Sequence, residues 1–333
     1  ESQELAAPSA ATIIDKNLKM PSAWKTSLGL DAKLPYGFKG TLEGVFSYNY
    51  NEVYASVLGM RLAGLQQLPG ESGLREIWVS EGVKNSTNGT LGGYYLHNES
   101  DLHGYYYSIT GQLSKEFDCG LSLMAAYTHS YGKSVSDGDG DQISGFGSII
   151  NKNGSNTPEL GIASYLAPHR VIANISYNIY EGKRTSTNIG LFYEGLNIAY
   201  SGIYAYSRVS YVMNNVSGTL ANQLLYIPTE AELAKMPFTD EANKAAYNQF
   251  IANDPYLSSH RGKYEERNGI VAPWFNRINL HLSQEINFDV LGKKNTVEIA
   301  ADVKNLANIF NSTWGNYKSL SSNVVLNYAN GEY

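Results

Sequence analysis

Asp137, Asp139 and Asp141 stand at alternate positions of the run DGDGD. Hard oxygen ligands at loop positions 1, 3 and 5 can wrap a calcium ion in this way. The sixth position is Gln142 where an EF-hand loop wants Gly, and no Glu stands at the twelfth, so the competing reading is a solvated acidic loop. His97, Glu99, Asp101 and His103 share one parity, but along an extended edge they would span about 20 Å, too far for one ion. No cofactor is expected.

A second cluster, HRGKYEERNG at 260 to 269, packs Arg261, Tyr264 and Arg267 among carboxylates just before Trp274. Guanidinium groups and aromatic rings suit recognition of carboxylates and ring-bearing solutes. With Tyr204 and Tyr206 of YSGIYAYSRVSY as stacking platforms, these residues are the candidate solute contacts. The competing roles are charges that pair with one another to fix a loop, and tyrosines that anchor an interface. No nucleophile elbow, P-loop or paired carboxylates in a cleft-forming context occur, so the chain is not expected to be an enzyme. A net charge of -6 argues against nucleic acid as a partner, and the single Cys119 excludes an internal disulfide.

The elements that must position these groups are strands. In RINLHLSQEINF, Ile278, Leu280, Leu282, Ile286 and Phe288 fall on one parity and Arg277, Asn279, His281, Ser283, Glu285 and Asn287 on the other. A period of two marks a strand whose faces meet different surroundings. The alternation recurs over 24 to 34, 38 to 50, 104 to 117, 121 to 134, 169 to 180, 186 to 200, 274 to 289 and 295 to 309. Most of these runs exceed the roughly 5 to 6 residues usual in globular sheets and match the roughly 9 to 11 tilted residues that cross a bilayer. Tight turns at 35 to 37, 118 to 120, 181 to 184 and 291 to 294 alternate with long polar segments near 51 to 103, 135 to 168 and 201 to 273. In the last of these, TEAELAKM and FTDEANKAAYNQFIAND read as helices, with Thr229 and Thr239 as N-caps.

Aromatic residues gather at the strand ends. Trp24, Tyr48, Tyr50, Tyr105, Tyr107, Tyr127, Tyr131 and Trp274 lie toward the long loops, and Tyr36, Phe38, Phe117, Tyr177 and Phe288 toward the turns. Aliphatic residues fill the band between, as at a membrane with two aqueous boundaries. No run of about 18 apolar residues exists, so any membrane crossing would be by strands. The expected fold is all-β, an antiparallel up-and-down transmembrane β-barrel of which about 8 strands are present, with long extracellular loops and short helices in one of them. The alternatives are a small outer-membrane barrel closed from these strands alone, passive or enzymatic in function, and a soluble extracellular β-sandwich serving as an adhesin or carbohydrate-binding module.

DPYLSSHRGKYEERNGIVAPWFNRINLHLSQEI at 254 to 286 resembles the C-terminal barrel of TonB-dependent outer-membrane receptors of Bacteroidetes, in particular the Oar-like branch. MPSAWKTSLGLDAKLPYGFKGTLEGVFS, LLYIPTEAEL and VEIAADVKNLANIFNSTWGNY are similar to that family in the same order along the chain. The resemblance implies a plugged barrel of about 22 strands, with a carboxypeptidase-regulatory-like domain, a plug and a TonB box preceding residues 1 to 333, which would be the C-terminal part of the barrel. It also implies uptake of a solute across the bacterial outer membrane with energy passed on by the TonB-ExbB-ExbD complex. The partners it implies are the protein's own plug, outer-membrane lipid, the solute and a surface lipoprotein. The opening ESQELAAPSA and the close at NYANGEY lead to the expectation of an internal piece of a longer protein.

Overall fold

A computed structural model describes residues 10–80, 84–85, 89–90, 92–136, 149–154, 156–181, 184–197, 211–213, 222–316, 324–328 and 331–333. Its main element is one antiparallel sheet of eight successive strands, each hydrogen-bonded to its sequence neighbours. They are β1 (Ser22–Lys33), β2 (Lys39–Tyr50), β3 (Tyr105–Glu116), β4 (Leu121–Ser134), β5 (His169–Glu181), β6 (Thr185–Asn197), β7 (Phe275–Val290) and β8 (Lys293–Val303). The two-residue strand Gly161–Ile162 adds to the end of β4. The sheet is open: among the described residues nothing joins β1 to β8, and both are exposed along their whole lengths.

Register turns the sequence alternation into two continuous faces. Leu30, Leu42, Gly111, Tyr127 and Val171 lie directly opposite one another across β1 to β5. Ile175, Leu191, Leu280 and Val303 do the same across β5 to β8. Directly opposed residues share a face, so these two rows, four residues apart on β5, place apolar side chains on one face from β1 to β8, with Lys115 and Asn276 as polar positions at the ends of the rows. Among the described residues this face carries no covering layer: Leu28 is 81% exposed, Ile299 65% and Ile109 53%. On the other face Glu43 meets Thr110, Thr128 follows, and Arg170 comes next.

The turns between paired strands are short because backbone geometry closes them locally. Between β7 and β8, Leu291 (φ 50°) and Gly292 (φ 76°) both take left-handed conformations, the pairing that matches strand twist in a two-residue hairpin. Cys119 sits exposed in the β3–β4 turn. The strand expected to reach residue 309 stops at Val303, where Asn305 adopts φ 56° and the chain winds into a 3-10 turn at Leu306–Ile309.

At the opposite end the long loops fold upon one another. Leu68 from one loop, Leu225, Ile227, Leu233, Met236, Ile251 and Leu257 from another, and Leu326 and Tyr328 from the C-terminal stretch form a common buried core. Three helices contribute: α1 (Glu230–Leu233), α2 (Glu241–Asn253) and α3 (Pro255–Ser259). Thr229 caps α1 in a reciprocal box with Glu232, as its sequence implies, while α2 is capped by Asp240 and not by Thr239. The loops also contain hairpins that alternation alone does not mark, such as Met60–Gln67 with Leu74–Ser80. The connecting turn passes so close to α1 that a Cβ on Gly70 would meet Glu232 O at 2.9 Å.

Candidate functional site

The polar face of β5, β6, β7 and β8 carries the densest arrangement of interacting side chains on the sheet. Glu194 is buried, and both its oxygens are taken: Arg170 Nη2 donates to Oε1 at 2.6 Å and Arg277 Nη2 to Oε2 at 2.7 Å. The Arg277 guanidinium also lies 5.9 Å from the Phe275 ring centre. Two guanidinium groups face one carboxylate, and among the described residues no second carboxylate pairs with either of these partly exposed side chains, a local excess of one positive charge.

Two residues further toward the turns, Asn174, Phe192 and Asn279 lie opposite one another. Beyond them come Ser176, Gly190, His281 and Asp302. His281 Nδ1 donates to Asp302 Oδ1 at 2.8 Å, and Asn279 Oδ1 accepts from the Asn305 backbone N–H at 2.9 Å. Between these side chains is a recess of about 330 Å³ lined by Asn174, Phe192, Asn279, His281 and Asp302. A neighbouring recess of about 400 Å³ is lined by Asn178, Ser186, Glu285 and Glu298. Amides, hydroxyls, one ring and a hydrogen-bonded His–Asp pair suit the holding of a polar solute.

The loop end holds a second polar cluster, inside the cap. Glu71 and Arg75 form a bidentate pair with both contacts at 2.8 Å and side chains 1% and 0% exposed. Tyr264 donates its hydroxyl to Glu71 at 2.9 Å, and its ring stands 4.8 Å from the Arg75 guanidinium and 4.4 Å from Lys152 Nζ. Burial first, then the charge of Glu71, pushes the Tyr264 hydroxyl well above its ordinary pKa. Burial likewise raises the carboxyl of Glu159, although it accepts from the Lys152 backbone N–H at 3.2 Å.

No family model, curated protein or solved structure matches the chain. What it does is therefore read from its own residues.

The structure gathers Tyr264, Arg261 and Arg267 in the cap, and each has internal partners. Arg261 binds the Pro228 carbonyl at 2.9 Å and Asn248 Oδ1 at 2.7 Å. Arg267 is buried, donating to Asn151 Oδ1 at 2.7 Å and to the Ser134 and Val135 carbonyls, so it ties the cap to the end of β4. Trp274 stands apart from them, half-exposed on the apolar parity and stacked 6.5 Å from His169. Tyr204, Tyr206, Asp137, Asp139 and Asp141 lie outside the described residues. Of the His97 row only two members meet, His97 Nδ1 and Glu99 at 3.3 Å; His97 Nε2 contacts Ser56, and His103 packs against Tyr48 and Tyr50. Among the described residues no cluster of His, Cys, Asp and Glu is arranged to hold a metal ion.

Neither the Arg170–Glu194–Arg277 triad nor the Glu71–Arg75 pair is marked by any local pattern in the sequence. The first requires the register of β5, β6 and β7, since Arg170 and Arg277 are far apart in the chain. The second stands in a loop with no periodicity around it, where a Glu four residues before an Arg is ordinarily a solvated pair.

Proposed function

We propose that the chain forms part of the wall of a transmembrane β-barrel in a TonB-dependent transporter of the bacterial outer membrane, taking up a solute with TonB-transmitted energy. The observation that carries the reading is the apolar face, which extends over eight strands and which no described residue covers. Monomeric soluble proteins rarely expose apolar patches beyond a few hundred Å². Here Leu28, Leu30, Leu42, Ile109, Ile175 and Ile299 are all exposed on one side, and Trp24, Tyr127 and Trp274 flank them toward the loops.

The two bare edges support the same reading. A long exposed edge strand is an aggregation hazard that barrels remove by closure, and further strands beside β1 and β8 would satisfy both. The polar face, with its ion triad and recesses, would then line the interior and meet a plug, and the folded cap would sit at the outer mouth. The plug, the contact with TonB-ExbB-ExbD and any lipoprotein belong to segments and partners that the family resemblance supplies.

The experiment is uptake by cells carrying the full-length protein. Uptake of its solute is lost when the inner-membrane proton gradient is collapsed and in cells lacking TonB. Uptake that persists under both conditions contradicts active transport, and a chain that stays monodisperse in plain buffer contradicts the membrane wall itself.

A further inference from the structure

The polar recess has a chemical profile of its own. Its row Asn174, Phe192, Asn279 lies two residues from the row that contains Glu194 and Arg277, a displacement of about 7 Å along the strands. A group seated on Phe192 is therefore within one sugar ring's length of the uncompensated guanidinium charge. Around it stand the amides of Asn174 and Asn279 and the His281–Asp302 pair, which is polarised by its 2.8 Å contact.

The recess opens over Gly190. Glycine weakens a strand interior and often marks a place where a ligand comes close. Its described neighbours do not demand it here, since a Cβ would meet His281 Cβ at 3.6 Å and Asn188 Oδ1 at 3.8 Å, both ordinary contacts.

We propose that this recess binds an acidic sugar: a uronic-acid unit whose ring face lies on Phe192, whose hydroxyls bond Asn174, Asn279 and the His281–Asp302 pair, and whose carboxylate is taken by Arg277 and Arg170. A carboxylate and a guanidinium match as a two-pronged, charge-assisted pair. Glu194 keeps the two guanidinium groups together and leaves one charge over for the ligand. An apolar ring under a pyranose, with amides at its rim, accounts for the mixed lining in a way that a simple inorganic anion does not. The inference rests on the reading that this face lines a solute path.

The test is calorimetric titration of the full chain in detergent micelles with galacturonic acid, galactose and sodium sulfate. Galacturonic acid binds, and galactose binds about 10-fold more weakly or less, the loss expected for one charged hydrogen-bond pair. Arg277→Gln removes the difference between the two sugars. Gly190→Leu fills the floor and abolishes binding of both while leaving the Arg–Glu–Arg triad in place, and Phe192→Leu weakens both. Equal binding of galactose and galacturonic acid, sulfate binding as tight as either, or binding that survives Gly190→Leu overturns the proposal. A detergent-dependent chain that ignores galacturonic acid refutes the sugar site alone. A chain that needs no detergent refutes the membrane reading beneath it.

Discussion

Replacing Arg75 by Met should loosen the loop cap far more than replacing both Arg75 and Glu71 by apolar residues. The two side chains are almost completely excluded from solvent, joined by two 2.8 Å contacts, and backed by the Tyr264 hydroxyl at 2.9 Å and the Lys152 carbonyl at 3.2 Å. Either charge left alone in that setting costs about 3–5 kcal/mol, whereas an apolar pair of similar volume is often neutral. Arg75→Met and Glu71→Leu are each expected to lower cap stability by about that amount, and the double variant to recover most of it. The assay is native-state hydrogen exchange on α2 and on the strand pair Tyr226–Ile227 with Lys263–Tyr264, which pack on the same core. Exchange in β4 and β5 should stay unchanged in all three variants. A double variant as damaged as the sum of the singles, or singles without effect, would refute the account of the pair.

Three further outcomes are expected. Burial raises the hydroxyls of Tyr247, Tyr264 and Tyr333 and holds Tyr256 up at about 12. The unfolded cap therefore releases these protons first, its stability falls as pH rises above the ordinary tyrosine value of 10.0, and an ultraviolet phenolate titration should show a late class that ionises together with unfolding. Leu291 carries a side chain at φ 50° while 98% exposed, so Leu291→Asn should stabilise the β7–β8 hairpin by about 1 kcal/mol in denaturant unfolding. Thr229→Ala removes both the acceptor for the Glu232 N–H and a hydroxyl that donates to the Glu232 carboxylate, and should cost about 1 kcal/mol, read as faster proteolysis at α1.

The long strands were legible because each separates two environments, and such a boundary writes a period of two into the chain. The run expected at 121 to 134 is β4 to the residue, and the least regular run, expected from 186 to 200, forms β6 at Thr185–Asn197. The end of the final strand is not legible, because its apolar parity continues into Ala307 and Ile309 while the break is made by the backbone of Asn305. Strands inside the loops, such as Glu52–Val57 paired with Gly92–Glu99, are buried or half-buried at successive positions, so no alternation of wet and dry faces marks them. Of the site, Tyr264 and Arg267 were marked by their charge-rich surroundings. Their partners Glu71, Arg75 and Asn151 are set by loop packing, which no local pattern records.

Placement of the apolar face in hydrocarbon is tested most directly by spin labels attached one at a time along 278 to 288 of β7, in a Cys119→Ser background and in lipid bilayers. Labels at Leu280, Leu282 and Ile286 should be relaxed by oxygen and shielded from a water-soluble nickel chelate, and those at Asn279, His281 and Glu285 should show the reverse, giving two accessibility curves of period two and opposite phase. Equal access of the chelate to both parities, or shielding of both from oxygen and chelate alike, would contradict the account.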